Sequence, residues 1–226
     1  MDWLQGKLNL TEVELSKVIK KNPRILMLSE NKSLEVQQWI SERLHLSDAR
    51  FVRICKKFPE VLASKVSTLE EKVDWVQAAM SLSDEELSDL FGKFPALFQY
   101  SSEKNLEPKL RFLQKTFDLS DQGLKDLVMK QPSLIARTEK AIEEKLQFYS
   151  QLVGESEAKR LVIKSSNLLT ISAEKRLKPR LSEIQKAGTK VEWTEQLIQR
   201  LARRTPEQWE KYGLGEAQRR RKRPND

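Results

Sequence analysis

Lys57-Phe58-Pro59-Glu60-Val61-Leu62 and Lys93-Phe94-Pro95-Ala96-Leu97-Phe98 are two versions of one string that the chain carries five times. The other copies are Lys21-Asn22-Pro23-Arg24-Ile25-Leu26, Lys130-Gln131-Pro132-Ser133-Leu134-Ile135 and Lys164-Ser165-Ser166-Asn167-Leu168-Leu169. Successive copies stand 36, 36, 37 and 34 residues apart, the recurrence of a structural unit rather than of a chance tripeptide. Proline cannot continue a helix without losing a backbone bond, and it biases the residue before it away from helical angles. A helix is therefore expected to end at each motif lysine, with Ser166 taking the proline's place in the fifth copy.

The flanks repeat in step. Leu10-Thr11-Glu12, Leu46-Ser47-Asp48, Leu82-Ser83-Asp84 and Leu119-Ser120-Asp121 are helix starts, each with a hydroxyl to accept a free N–H and acids to meet the positive helix end. About ten residues separate each start from its Lys-x-Pro. After the proline come an apolar pair, a polar turn and a second helix with Trp39, Trp75, Phe112, Phe148 and then Ile184 in register. These are expected to be core residues. Two short helices cannot cover such an apolar face, whereas stacked pairs can. The expected fold is all-α, a right- or left-wound α-solenoid of about five repeats near residues 10–45, 46–81, 82–118, 119–152 and 153–187. At about 8–10 Å between neighbouring helix axes, five units extend on the order of 50 Å, or about 15 base pairs.

Composition agrees. Only seven Gly and eight Pro among 226 residues, with 33% charged side chains, suit helices with one buried stripe each. The net charge of +8 is unevenly placed: residues 197–226 hold nine basic and four acidic side chains, leaving 32 against 29 in residues 1–196. A polyanion site must then rest on where charges lie. No run of apolar residues is long enough for a membrane span. The opening Met1-Asp2-Trp3-Leu4-Gln5 resembles neither a secretory signal nor a transit peptide, so no targeting segment is expected in the chain. With one histidine, His45, one cysteine, Cys55, and no glycine-rich phosphate loop, no catalytic site, metal site or cofactor is expected.

Leu-Ser-Asp-x-x-Leu, Lys-x-Pro-x-Leu-Leu and Asn105-Leu106-Glu107-Pro108-Lys109-Leu110-Arg111-Phe112-Leu113, with a second such helix entry at Ala173-Glu174-Lys175-Arg176-Leu177-Lys178-Pro179-Arg180-Leu181, resemble the repeat of the mitochondrial transcription termination factor (mTERF) family. The resemblance covers residues 8–187. It implies a curved superhelix with a basic concave path and an organellar protein, mitochondrial or chloroplast, that holds double-stranded DNA or structured RNA in gene expression. Residues 188–214 are then capping helices and 215–226 a disordered basic tail. Tetratricopeptide repeats need a Trp-x-x-Leu-Gly-x-x-Tyr opening that is missing, and the base-reading pairs of pentatricopeptide repeats cannot be located.

Candidate contacts follow from the period. Lys21, Lys57, Lys93, Lys130 and Lys164 recur at one position, so regular winding would set them on one line facing a phosphate backbone. A cation there also stabilises the helix dipole without any ligand. Arg24 and Arg137 follow their prolines, and Tyr100 holds the position of Arg137 one repeat earlier, suited to phosphate or base stacking. Arg176 and Arg180 extend the set in the last repeat, and Arg200, Arg203 and Arg204 in an amphipathic basic helix. The expected partner is nucleic acid, bound by a monomer. The alternative is an α-solenoid scaffold for proteins, consistent with the near-balanced charge of the body.

Overall fold

Helix α1, Glu12–Lys21, opens with a capping box in which Thr11 accepts from the Glu14 N–H and the Glu14 carboxylate accepts from that of Thr11. The same ten-residue helix returns as α3 (Asp48–Lys57), α5 (Asp84–Lys93), α7 (Asp121–Lys130) and α9 (Glu155–Lys164). This computed structural model describes residues 5–6, 10–188 and 191–211. The side chains of Lys21 and Arg24, Tyr212 and the basic tail 215–226 lie outside the described residues.

Every first helix ends on the motif lysine. The next residue leaves helical space in the same way each time, with φ/ψ of −138°/72° at Phe58, −132°/71° at Phe94, −140°/70° at Gln131 and −131°/61° at Ser165. A 3-10 turn follows, beginning at Pro23, Pro59, Pro95, Pro132 and Ser166. Since Ser166 reproduces the geometry, proline enforces a stop that neighbouring packing can also maintain.

The second helices are α2 (Glu30–Arg43), α4 (Val66–Met80), α6 (Glu107–Phe117), α8 (Glu139–Val153) and α10 (Lys178–Lys186). Two of them are entered through a π turn that the sequence pattern does not announce, Ser102–Leu106 before α6 and Ala173–Leu177 before α10. Each has proline at the second position of the helix that follows, Pro108 and Pro179. Proline offers no N–H to the turn before it, and a widened turn absorbs that loss. The Leu106 and Leu177 N–H groups accordingly reach back five residues to the Ser101 and Ser172 carbonyls, at 3.0 and 3.3 Å.

These details explain the uneven spacing. The extra residue of the Ser102–Leu106 turn lengthens the third interval to 37. In the fourth, Gly154 alone joins α8 to α9 where Ser81, Leu82 and Ser83 join α4 to α5, and the interval falls to 34. Gly154 sits at φ 84°, a conformation that favours glycine, while His45, Ser81 and Asp118 end the earlier second helices at φ 48°, 49° and 52°.

The chain divides into two compact units, Met1–Ile135 and Ala136–Asp226, so the division falls inside the fourth repeat. In the first unit, α2 packs on α4 and α3 on α5, and the 3-10 turn Pro59–Ala63 lies against α2 and the turn before it. Ile40, Ile54, Val61, Val73, Leu87, Phe91 and Leu97 fill its core, and Phe98 packs against Phe91 at 4.6 Å between ring centroids. In the second unit α8 packs on α9 around Ile142, Tyr149, Val162 and Leu168. The Tyr149 hydroxyl donates to the Leu168 carbonyl at 3.2 Å, which satisfies its one buried polar group.

The aromatic register is only partly core. Phe148 and Ile184 are buried, but Trp39, Trp75 and Phe112 are half-buried and edge the apolar face. The deep positions belong to aliphatics one turn away, Val36 and Ile40, Val73 and Val76, Leu110 and Leu113. Beyond α10 lies α11, Glu195–Arg203, which buries Leu197, Ile198, Leu201 and Ala202. A short helix over 206–211 follows and buries Trp209. No strand occurs among the described residues, and no described helix is long and apolar enough to cross a membrane.

Candidate nucleic-acid interface

First helices in the first unit are tied side to side by ion pairs made with the same carboxylate each time. Glu14 and Glu86, the third residues of α1 and α5, close the capping boxes and also bind a lysine of the next first helix, Lys56 at 3.1 Å and Lys125 at 2.7 Å. Second helices are joined to the following first helix by a repeated amide contact: Gln77 donates to Asp84 at 2.9 Å and Gln114 to Asp121 at 2.7 Å. These bonds hold the first helices in a layer, so their C-terminal ends recur at the interval of the repeat.

Lys57, Lys93 and Lys130 stand exposed on those ends, and in the second unit Lys164 is exposed at the end of α9. Lys93 pairs with Asp89 one turn back at 2.5 Å, and Lys164 with Glu195 at 2.8 Å. Such exposed pairs contribute about 0–1 kcal/mol, so a phosphate can displace the carboxylate at little cost. Tyr100 is half-buried and stacks on Phe94, the residue after Lys93, at 6.4 Å and 17°. Arg137 is exposed immediately before Thr138, the N-cap of α8.

The arginines of the last repeat divide. Arg180 is 5% exposed and donates to the carbonyls of Leu201 at 2.6 Å and Arg204 at 2.8 Å, with its guanidinium 4.9 Å from the Trp209 ring centre. It caps the end of α11, and those two bonds give Arg180 a structural role that the sequence reading did not foresee. Burial first, and then Arg176, lower its pKa. Arg176 is half-buried, with a long bond of 3.4 Å to the Ala202 carbonyl. Arg200 and Arg203 are exposed, and with Gln196, Gln199, Arg204 and Gln208 they line a shallow depression of about 310 Å³. Arg203 also donates to Asn167 at 2.8 Å. By position α11 is a further first helix, capped by Thr194 and ending on Arg203 where the others end on lysine.

A second basic series lies in the second helices and was not anticipated. Lys72, Lys109, Lys145 and Arg180 are in register once the π turns are allowed for. Lys72 donates to the Phe98 carbonyl at 2.5 Å, closing the next repeat's 3-10 turn, and Lys109 lies 5.0 Å from the Phe112 ring centre. The sequence does carry a signal, a basic residue three places before the register aromatic in Lys72/Trp75, Lys109/Phe112 and Lys145/Phe148. Its period of 35 to 37 residues is masked by the stronger Lys-x-Pro string.

Among the described residues no three His, Cys, Asp or Glu side chains converge to hold a metal ion, and the Cys55 thiol is buried, which pushes its pKa up. No curated protein matches the chain. The mTERF family model matches residues 2–120 and again 40–203. The chain is therefore a member of the mTERF family.

Proposed function

We propose that this protein binds nucleic acid, either duplex DNA or structured RNA, through phosphate contacts from the ends of its first helices, and that it acts in organellar gene expression in the mitochondrion or chloroplast. One observation carries the reading: the same ten-residue helix, stopped by the same backbone geometry, sets an exposed lysine at an equivalent place in consecutive repeats. Helix-dipole stabilisation explains a lysine at any one end, but it asks nothing of the positions beside it. The exposed Arg137, the Arg200 and Arg203 face and the half-buried Tyr100 add contacts suited to phosphate and base. Membership in a family of organellar nucleic-acid-binding regulators supports the same assignment.

The test is a salt titration of binding. Log K should fall linearly with log salt, at about −0.9 per phosphate on duplex DNA or about −0.7 on single strands. Replacing Lys57, Lys93 and Lys130 together by Glu should abolish binding with helicity intact, and unchanged affinity would overturn the reading. A second reading, a scaffold for protein partners, draws on the exposed apolar Val13, Leu26 and Met27 in the first repeat. It predicts that the triple charge reversal leaves the partner complex intact.

A further inference from the structure

Charge is spread unequally over first helices that otherwise repeat. Helix α3 carries Arg50, Arg53, Lys56 and Lys57 against the single acid Asp48, whereas α5, its equivalent one repeat later, carries Asp84, Glu85, Glu86 and Asp89 against Lys93 alone. The place one turn before the motif lysine makes much of the difference. It is Lys17 in the first repeat and Arg53 in the second, then Asp89 and Asp126 in the third and fourth. In α5 the Asp89 carboxylate lies 2.5 Å from the Lys93 ammonium and offsets its charge. In α3 the same place adds a guanidinium beside Lys57. The fifth repeat has Arg160 there, held by Glu157 at 2.7 Å.

The first two of these helices adjoin, because Glu14 of α1 and Lys56 of α3 meet at 3.1 Å. Lys17 stands three residues past Glu14 and Arg53 three before Lys56, each on the face of its helix that bears the bridge. Lys20 lies a turn beyond Lys17 and Arg50 a turn before Arg53, so the cations run along both helices from that bridge. Lys17, Lys20, Arg50, Arg53 and Lys57 are exposed, and none has a hydrogen-bond or ion-pair partner among the described residues. The acids of α1 and α3 stand in the first turns, where they meet the positive helix ends, and Glu14 is further held by Thr11 and Lys56. Like charges three and four places apart oppose helix formation, and a bound polyanion turns that repulsion into shared attraction.

We infer that Lys17, Lys20, Arg50 and Arg53, together with Lys57, form a phosphate-binding patch on α1 and α3 that grips a nucleic-acid backbone more strongly than the motif lysines of the third and fourth repeats. The patch rests on the nucleic-acid reading above and adds four residues to it. Cations one helical turn apart, about 5.4 Å, need a polymer whose charges recur at least as closely, and a duplex carries one per about 1.7 Å of its axis. Arg50 and Arg53 each offer a planar fork of donors that matches two phosphate oxygens.

The experiment compares the full chain with Arg50→Gln/Arg53→Gln, Lys17→Gln/Lys20→Gln and a charge-matched control, Lys104→Gln/Lys115→Gln, reading affinity against salt on a duplex and on a structured RNA. Loss of two phosphate contacts should make the slope on duplex shallower by about 1.8 and weaken binding about 60-fold at 0.1 M salt. The control removes two exposed lysines of the third repeat that lie outside the patch, and it should keep the wild-type slope. Asp89→Asn should strengthen binding by releasing Lys93, while Arg53→Asp, which copies the third repeat, should weaken it more than Arg53→Gln. The side chains removed in the double variants are exposed, so helicity and thermal midpoint should hold, and if one patch variant fails to fold the other gives the same reading. Unchanged slope and affinity in both patch variants would overturn the patch and leave the nucleic-acid reading to the motif lysines. An equal loss in the control would also overturn it, by showing that net charge alone governs affinity. A wild-type chain that binds neither polymer would overturn the nucleic-acid reading and the patch together.

Discussion

Leu26 and Leu62 occupy the same place in successive repeats, yet Leu26 is 53% exposed and Leu62 only 2%. The 3-10 turn carrying Leu62 lies against α2 and the turn of the repeat before it, and the later equivalents Phe98 and Leu169 are buried as well. Leu62→Ala should therefore cost about 2–4 kcal/mol in denaturant unfolding, the range for emptying a buried leucine site. Leu26→Ala should cost less than about 0.5 kcal/mol in the same assay, as an exposed substitution does. Ser81 offers the opposite case. It ends α4 at φ 49°, where a β-carbon is strained, so Ser81→Gly should raise stability by about 0.5 kcal/mol once the added freedom of the unfolded glycine is deducted.

Helix starts carry a double duty that makes the first-helix layer sensitive to acid. The Thr11 backbone N–H and Lys56 hold the Glu14 carboxyl below its usual range, and Lys125 and the Ser83 N–H do the same for Glu86. A carboxyl whose folded pKa is depressed contributes stability above its unfolded pKa and loses it as pH falls through the folded one. The thermal midpoint should therefore be level near neutrality and fall below about pH 4.3, with the fall reduced in Glu86→Gln. At the other end of the chain, Arg180→Met leaves the Leu201 and Arg204 carbonyls without their donor. Hydrogen exchange should then speed up over α11 and 206–211 well before α8 and α9 open, because only the last helices lean on that guanidinium.

Over the first unit, stacking at about 8–10 Å per repeat places Lys57 and Lys130 roughly 20 Å apart, or about six base pairs of duplex. Crosslinking from those two positions should mark backbone sites with that separation, and Lys93 should fall between them. A scatter of marks with no order would show that the lysines do not follow one strand. In the second unit Lys164 ends its own first helix, and its partner Glu195 belongs to the helix that repeats the first-helix pattern once more. Releasing that pair with Glu195→Gln should strengthen binding modestly if Lys164 joins the track, by the removal of a competing carboxylate.

Helix boundaries, caps and the repeat were readable from residues because each is set within a few positions along the chain. A hydroxyl reaches an N–H three residues on, and proline denies a bond to its own turn. The π turns escaped that reading although Pro108 and Pro179 were visible, since proline near a helix start is equally at home in a regular first turn. The fate of each charged side chain was not local at all. Arg176 and Arg180 sit one turn apart with the same composition around them, and only contact with the end of α11 buries one and leaves the other half-exposed. Lys145 likewise looks like any helix lysine until the packing of its repeat buries most of its side chain. Periodicity reports which positions are equivalent along the chain; burial and pairing depend on what the neighbouring helices bring to each of them.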